Sequence, residues 1–145
     1  MRLPCVFSST LDGNILITEI VGTIDKVTSR KVFNSLKTQI RKLDGAPWAN
    51  IILAQEWELS ALEIDETLIE IENWVRANNR SHLVFVVGKE HAQIKRFTLE
   101  QYLGNNLKKA TIAVFPCPKE AMHWLYQQGF SLGSKNSVFA SLMLE

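Results

Sequence analysis

The sequence predicts an α/β fold, a mixed and mostly parallel sheet of about five strands with helices packed against it. Three observations predict it. A turn dipeptide, Asp12-Gly13, separates two β-prone segments. Short continuous apolar runs, ANIILA (49–54), HLVFVV (82–87) and ATIAVF (110–115), read as strands buried on both faces. Amphipathic helical patterns alternate with these runs, giving the order β-β-α-β-α-β-α-β-α, which calls for crossover connections within one sheet.

The hairpin comes first. Cys5–Ser9 and Ile15–Val21 flank Thr10-Leu11-Asp12-Gly13-Asn14, and Asp-Gly supplies the positive φ angles that a tight turn needs. The second of these strands is apolar on both faces, so it is covered on both sides. A helix follows over about Asp25–Leu43, with Val32, Phe33, Leu36, Ile40 and Leu43 on one stripe. Asp44-Gly45-Ala46-Pro47 ends it. After the run 49–54, Gln55–Leu59 reads as a connection, and Ser60 followed by Glu63 reads as a capping box opening the second helix. The core stripe of that helix is Ala61, Ile64, Leu68, Ile71 and Val75. A third, poorly patterned helix covers Ala92–Leu103, and Thr98–Gln101 offers a second capping box that breaks it in two. Pro118 suits the first turn of the last helix. Gly129 suits its end, with Phe130 folding back on Leu125. The apolar residues of 131–145 require this tail to pack, on the domain or on a partner.

Length and charge bound the function. A chain of 145 residues is the usual size of one domain, and residues 1–145 read as one. Sixteen basic residues against fifteen acidic ones, a formal charge of +1, remove the electrostatic case for nucleic acid. No apolar run is long enough for a signal peptide or a transmembrane segment, while peripheral contact with a membrane stays open. Cys5 and Cys117 are too few for a disulfide framework and match no metal spacing, so a reduced, cytoplasmic protein is the simplest reading.

The search for chemistry yields no catalytic constellation, no cofactor and no metal set. Neither of the Gly-rich nucleotide-binding signatures occurs, and Gly88-Lys89 reads as a strand-to-helix turn. His82, His91 and His123 stand at no ligand spacing. Cys117 lies between two prolines at a helix start, where the dipole favours a thiolate, yet no base is placed beside it. The carboxylates between Glu56 and Glu72 read as a solvated face, and Lys26, Arg30, Lys37 and Arg41 as its basic counterpart on the first helix. Leu62 and Ile69, seven apart, point away from the core stripe. With Trp57 and Leu59 they form either an apolar binding patch or a surface covered by the tail.

GTIDKVTSRKVFNSLKTQIRKL after a strand, then ANIILA, HLVFVVG and TIAVFPCPKEAMHWL, resembles the STAS fold. More narrowly, it resembles the bacterial group similar to anti-sigma-factor antagonists of sporulation. The resemblance covers roughly Ile15 to Tyr126 and implies a regulatory or ligand-binding domain rather than an enzyme. In the antagonist branch, a serine opening the helix after the third strand is phosphorylated by a kinase that is also its binding partner. Ser60 occupies a comparable position, but the Asp-Ser-Ser/Thr-Gly signature is missing and a cap explains Ser60 as well. Other relatives look like carriers with a hydrophobic cavity.

Two functions follow as expectations. The first is a non-enzymatic STAS-like regulatory domain that binds another protein, or a second copy of itself, through Trp57, Glu58, Leu59, Ser60, Leu62 and Ile69. The alternative is a carrier or sensor of a small apolar molecule, with a pocket between helices and sheet lined by Trp57, Trp74 and the 92–103 segment as a lid.

Overall fold

Five strands in the order β1-β2-β3-β4-β5 form the centre of the computed structural model, which describes residues 5–58, 66–89, 93–94, 97 and 111–133. β1 (Val6–Asp12) and β2 (Ile15–Gly22) pair antiparallel, while β3 (Trp48–Trp57), β4 (Arg80–Val86) and β5 (Thr111–Phe115) continue the sheet in parallel. The described helices are α1 (Lys26–Arg41), α2 (Glu66–Ala77) and α3 (Pro118–Gln127). The expected mixed α/β sheet is present. The expected third helix, apart from Gln93, Ile94 and Phe97, and the capping boxes at Ser60 and Thr98 lie outside the described residues, as does the tail beyond Gly133.

The hairpin turns at Gly13, whose φ of +64° is open to glycine at little cost. The turn also holds the segment that leaves α3. Asp12 Oδ1 accepts the Gly133 N–H at 2.8 Å, and Asn14 Oδ1 accepts that of Ser131 at 3.0 Å. Outer strand β1 is covered by a side chain of α1. Gln39 Oε1 accepts the Leu11 N–H at 2.7 Å and its Nε2 donates to the Ser9 carbonyl at 2.9 Å, the two bonds a neighbouring strand would make.

Strand alternation sends side chains to two separate cores. On one face, Ile15, Ala49, Ile51, Val84 and Val86 pack against Ala121, Met122 and Leu125 of α3. Phe130 joins them, its N–H bonded to the Leu125 carbonyl at 3.0 Å after Gly129 turns the chain at φ +96°. On the other face, Leu16 and Trp48 meet Val32, Phe33, Leu36 and Ile40 of α1 and Val75 of α2. Each such fully buried side chain stabilises the fold by about 1.5–3 kcal/mol. α1 starts at Asp25, whose carboxylate accepts the Thr28 N–H at 2.8 Å. That bond holds the Asp25 carboxyl below the usual carboxylate range.

Strand boundaries differ from expectation, for one reason. β1 runs on past Ser9 to Asp12, because Thr10, Leu11 and Asp12 pair with Ile17, Leu16 and Ile15. β3 continues past Ala54 to Trp57, and β4 begins at Arg80 rather than His82. Gln55-Glu56 and Arg80-Ser81 look like connections by residue type, yet backbone pairing carries them into the sheet, with Trp57 opposite Gly22 and Trp48 opposite Arg80.

Candidate functional site

The side chains that α1 and α2 bring over β2, β3 and β4 leave a cavity of about 90 Å³. Its location follows from the alternation already described, since Thr18, Ile20, Asn50, Ile52, Leu83 and Phe85 all project to the α1/α2 side. Val32 and Leu36 reach it from α1, and Leu68, Ile71, Glu72 and Val75 from α2. The volume exceeds what one water needs several times over, and is below the range of drug-sized ligands. It suits a small molecule or the end of a larger one.

The cavity is graded along the strands. Its end at the C-terminal side of β2 and β3 is apolar, formed by Ile20, Ile24 and Trp57. Polar groups gather toward the strand starts. Asn50 Nδ2 donates to the Leu16 carbonyl at 2.9 Å and to Thr18 Oγ1 at 3.0 Å. Thr18 Oγ1 in turn shares a hydrogen bond of 2.9 Å with Ser9 Oγ, so a polar line crosses three strands of an otherwise apolar face. At the first residue of β4, Arg80 is buried and bonded by both terminal nitrogens to Glu72 of α2, through Nη1 to Oε2 at 2.8 Å and through Nη2 to Oε1. Among the described residues Arg80 Nε has no hydrogen-bond partner.

A second depression, about 270 Å³, lies near the ends of β2 and β3 beside Pro118. It is larger, but Glu19 and Glu56 in its wall are exposed, so an occupant there would stay in contact with water. A lining of buried apolar side chains, rather than volume, makes the smaller cavity the better candidate.

The expected site residues divide. Trp57 is 7% exposed and forms cavity wall rather than surface. Glu58 is exposed, its N–H bonded to the Gly22 carbonyl at 2.8 Å. Ile69 is 42% exposed on α2. Leu59, Ser60 and Leu62 lie outside the described residues. Trp74, expected in a pocket, instead meets Phe33 edge-on with ring centroids 6.2 Å apart. In the 92–103 segment, Ile94 and Phe97 are exposed and the rest is outside the described residues apart from Gln93.

The remaining polar candidates have structural partners. His82 packs on Phe130 and Trp124 and bonds Ser81 Oγ and Gln128 Oε1. Cys117 stands at the α3 N-cap without a side-chain capping bond. Among the described residues no three His, Cys, Asp or Glu side chains cluster to hold a metal ion. No described helix is long and apolar enough to cross a membrane. The basic stripe of α1 is partly engaged, with Arg30 paired to Glu70 at 2.9 Å and Lys37 Nζ 4.2 Å from the Phe33 ring centroid.

Sequence reasoning missed Arg80, Glu72, Asn50 and Thr18. A signal existed for one of them. Glu72 is four residues after Leu68 and three before Val75, on the core stripe, so it sits where an apolar residue is expected. A carboxylate at such a position calls for a buried cation.

No protein-family model matches the chain, and no curated protein matches it either.

Proposed function

We propose that the protein is a carrier or sensor of a small apolar molecule, held between the sheet and the α1/α2 layer. The observation that carries this reading is the cavity between sheet and helices, apolar at its Trp57 end and polar toward Asn50 and Arg80. An apolar body with a few convergent polar groups is the usual form of a small-molecule site. The resemblance to STAS domains supports the same role, a regulatory or ligand-carrying domain rather than an enzyme. Free cysteines at positions 5 and 117 agree with a cytoplasmic setting.

Isoleucine methyl NMR tests the proposal, because the two faces of the sheet provide their own control. Ile20, Ile52 and Ile71 line the cavity, whereas Ile15 and Ile51 belong to the core under α3. Titration with n-pentane is expected to shift the first three methyl signals saturably and leave the other two nearly unmoved. Uniform shifts on both faces, or none, reject the reading.

A second reading, a regulatory domain that binds another protein or a second copy of the chain, is favoured by one observation. Ile69 is a large apolar side chain exposed on α2, one residue from the Arg30–Glu70 pair. Under that reading Ile69→Asp leaves the fold intact and abolishes association, measured by sedentation equilibrium or by pull-down with the partner.

A further inference from the structure

We infer that the cavity takes molecules bearing an uncharged hydrogen-bond donor, a hydroxyl above all, and discriminates against isosteres whose oxygen only accepts. The inference rests on the ligand-binding reading above and names the chemical class that the site takes. It starts at Asn50, in the middle strand of the sheet, with Leu16 of β2 on one side and Leu83 of β4 on the other. Asn50 is 6% exposed and lines the cavity. Its amide nitrogen is committed. Nδ2 donates to the Leu16 carbonyl at 2.9 Å and to Thr18 Oγ1 at 3.0 Å, which uses both of its hydrogens. The Leu16 carbonyl can only accept, so the amide cannot be turned over and Oδ1 is the end left without a bond.

No group among the described residues donates to Asn50 Oδ1, and unlike Arg80 Nε this atom is not sealed beneath its neighbours. Strands stand on both sides of Asn50, and its side chain projects to the α1/α2 face, so the opening left to Oδ1 is the cavity itself. The other polar side chains of the wall are paired with one another, Ser9 with Thr18 and Arg80 with Glu72.

An amide oxygen accepts and gives no proton, so it asks an occupant for an O–H or N–H. An occupant that shields it from water without supplying one leaves a buried acceptor unsatisfied, which is costly. A charged donor fails for another reason. An ammonium would lose its hydration, and the carboxylate in the wall, Glu72, is already committed to Arg80. A neutral hydroxyl avoids both costs.

The gradient of the cavity then orients the molecule. Its hydroxyl lies at Asn50 and its apolar part toward Ile20, Ile24 and Trp57. Side chains two residues apart on one face of a strand are about 7 Å apart, so a short chain headed at Asn50 runs alongside Ile52.

1-Pentanol and butyl methyl ether test this on the intact chain, since they are isomers and only the alcohol has a proton to give. Affinities are read from the Ile20, Ile52 and Ile71 methyl shifts. In a purely apolar site the ether has the advantage, because the alcohol gives up more hydration. The expected result is that 1-pentanol binds about tenfold more tightly than the ether, the size expected for one satisfied buried acceptor. That preference is lost in Asn50→Leu, which keeps the size of the side chain but not its oxygen. Where Asn50→Leu fails to fold, intermolecular NOEs on the wild-type chain take its place. They are expected to join the alcohol's C1 methylene to the Thr18 γ-methyl and its terminal methyl to the Trp57 ring. The ether binding as tightly as the alcohol, a preference unchanged in Asn50→Leu, or the reverse orientation overturns the inference while leaving the cavity reading intact. Failure of both probes to move these methyl groups overturns both.

Discussion

Glu72 of α2 holds Arg80 of β4 by both of its carboxylate oxygens, inside the layer between helix and sheet. The pair joins the middle of one crossover helix to the first residue of the strand that follows it, and both residues line the cavity. Its two members lie eight residues apart, so the contact is local in sequence but tertiary in kind.

Breaking this pair from one side leaves a buried charge without a partner. Glu72→Leu or Arg80→Met alone is therefore expected to destabilise the protein by about 3–5 kcal/mol. The double replacement should recover most of that loss, because it removes both charges together. Urea denaturation of the four proteins in the cycle measures the coupling. Additive losses would mean that the two side chains are stabilised independently.

Gly13 makes a different kind of demand, on space. A Cβ built there would lie 2.3 Å from the Ser131 carbonyl oxygen and 2.7 Å from the Gly133 nitrogen. Gly45, with φ +85°, has nothing within 4 Å of the same position. Gly45→Ala should thus cost only the left-handed backbone penalty, about 1 kcal/mol. Gly13→Ala should cost clearly more in the same denaturation assay, and should release the Ser131–Gly133 segment in amide hydrogen exchange.

The Asp25 cap predicts a pH dependence. Its carboxyl is held below the usual range by the Thr28 N–H, so its folded pKa is lower than its unfolded one. The unfolded chain then binds the proton first. This contribution to stability is complete above the unfolded value and is lost as pH falls through the folded one, below about pH 4. Asp25→Asn, which keeps a capping oxygen but does not ionise, is expected to flatten the acid limb of the stability curve. Thermal melts between neutral and acid pH read the difference, and parallel curves for the two proteins would remove Asp25 as a source of it.

The parts of this fold that were legible in the sequence are those governed by local pattern. Asp12-Gly13 could only serve a turn of this kind, and the spacing of Val32, Phe33, Leu36 and Ile40 marks the buried stripe of α1. The apolar runs around Ile51, Val84 and Val114 announce strands without showing where pairing begins and ends. Polar residues at the strand ends, Gln55-Glu56 and Arg80, are recruited by neighbouring backbone, which no local pattern reveals. The cavity was less legible still. Trp57 precedes the second helix in a segment that need not be buried, so the sequence offers it both to an interaction surface and to a pocket wall, and extension of β3 turns it inward beside Ile20. Asn50 appears in an apolar run as an interruption, and only the register that sets β2 beside β3 supplies its partners Leu16 and Thr18.

Native mass spectrometry tests the central claim most directly, applied to the protein isolated from its own cells and to a Val32→Phe variant. Val32 lines the cavity from α1, and a phenylalanine there would occupy part of the space. The wild-type chain is predicted to carry a defined small-molecule adduct that is released on denaturation and is lost or sharply reduced in Val32→Phe. A bare wild-type polypeptide, or an adduct retained undiminished by the filled variant, would contradict the account.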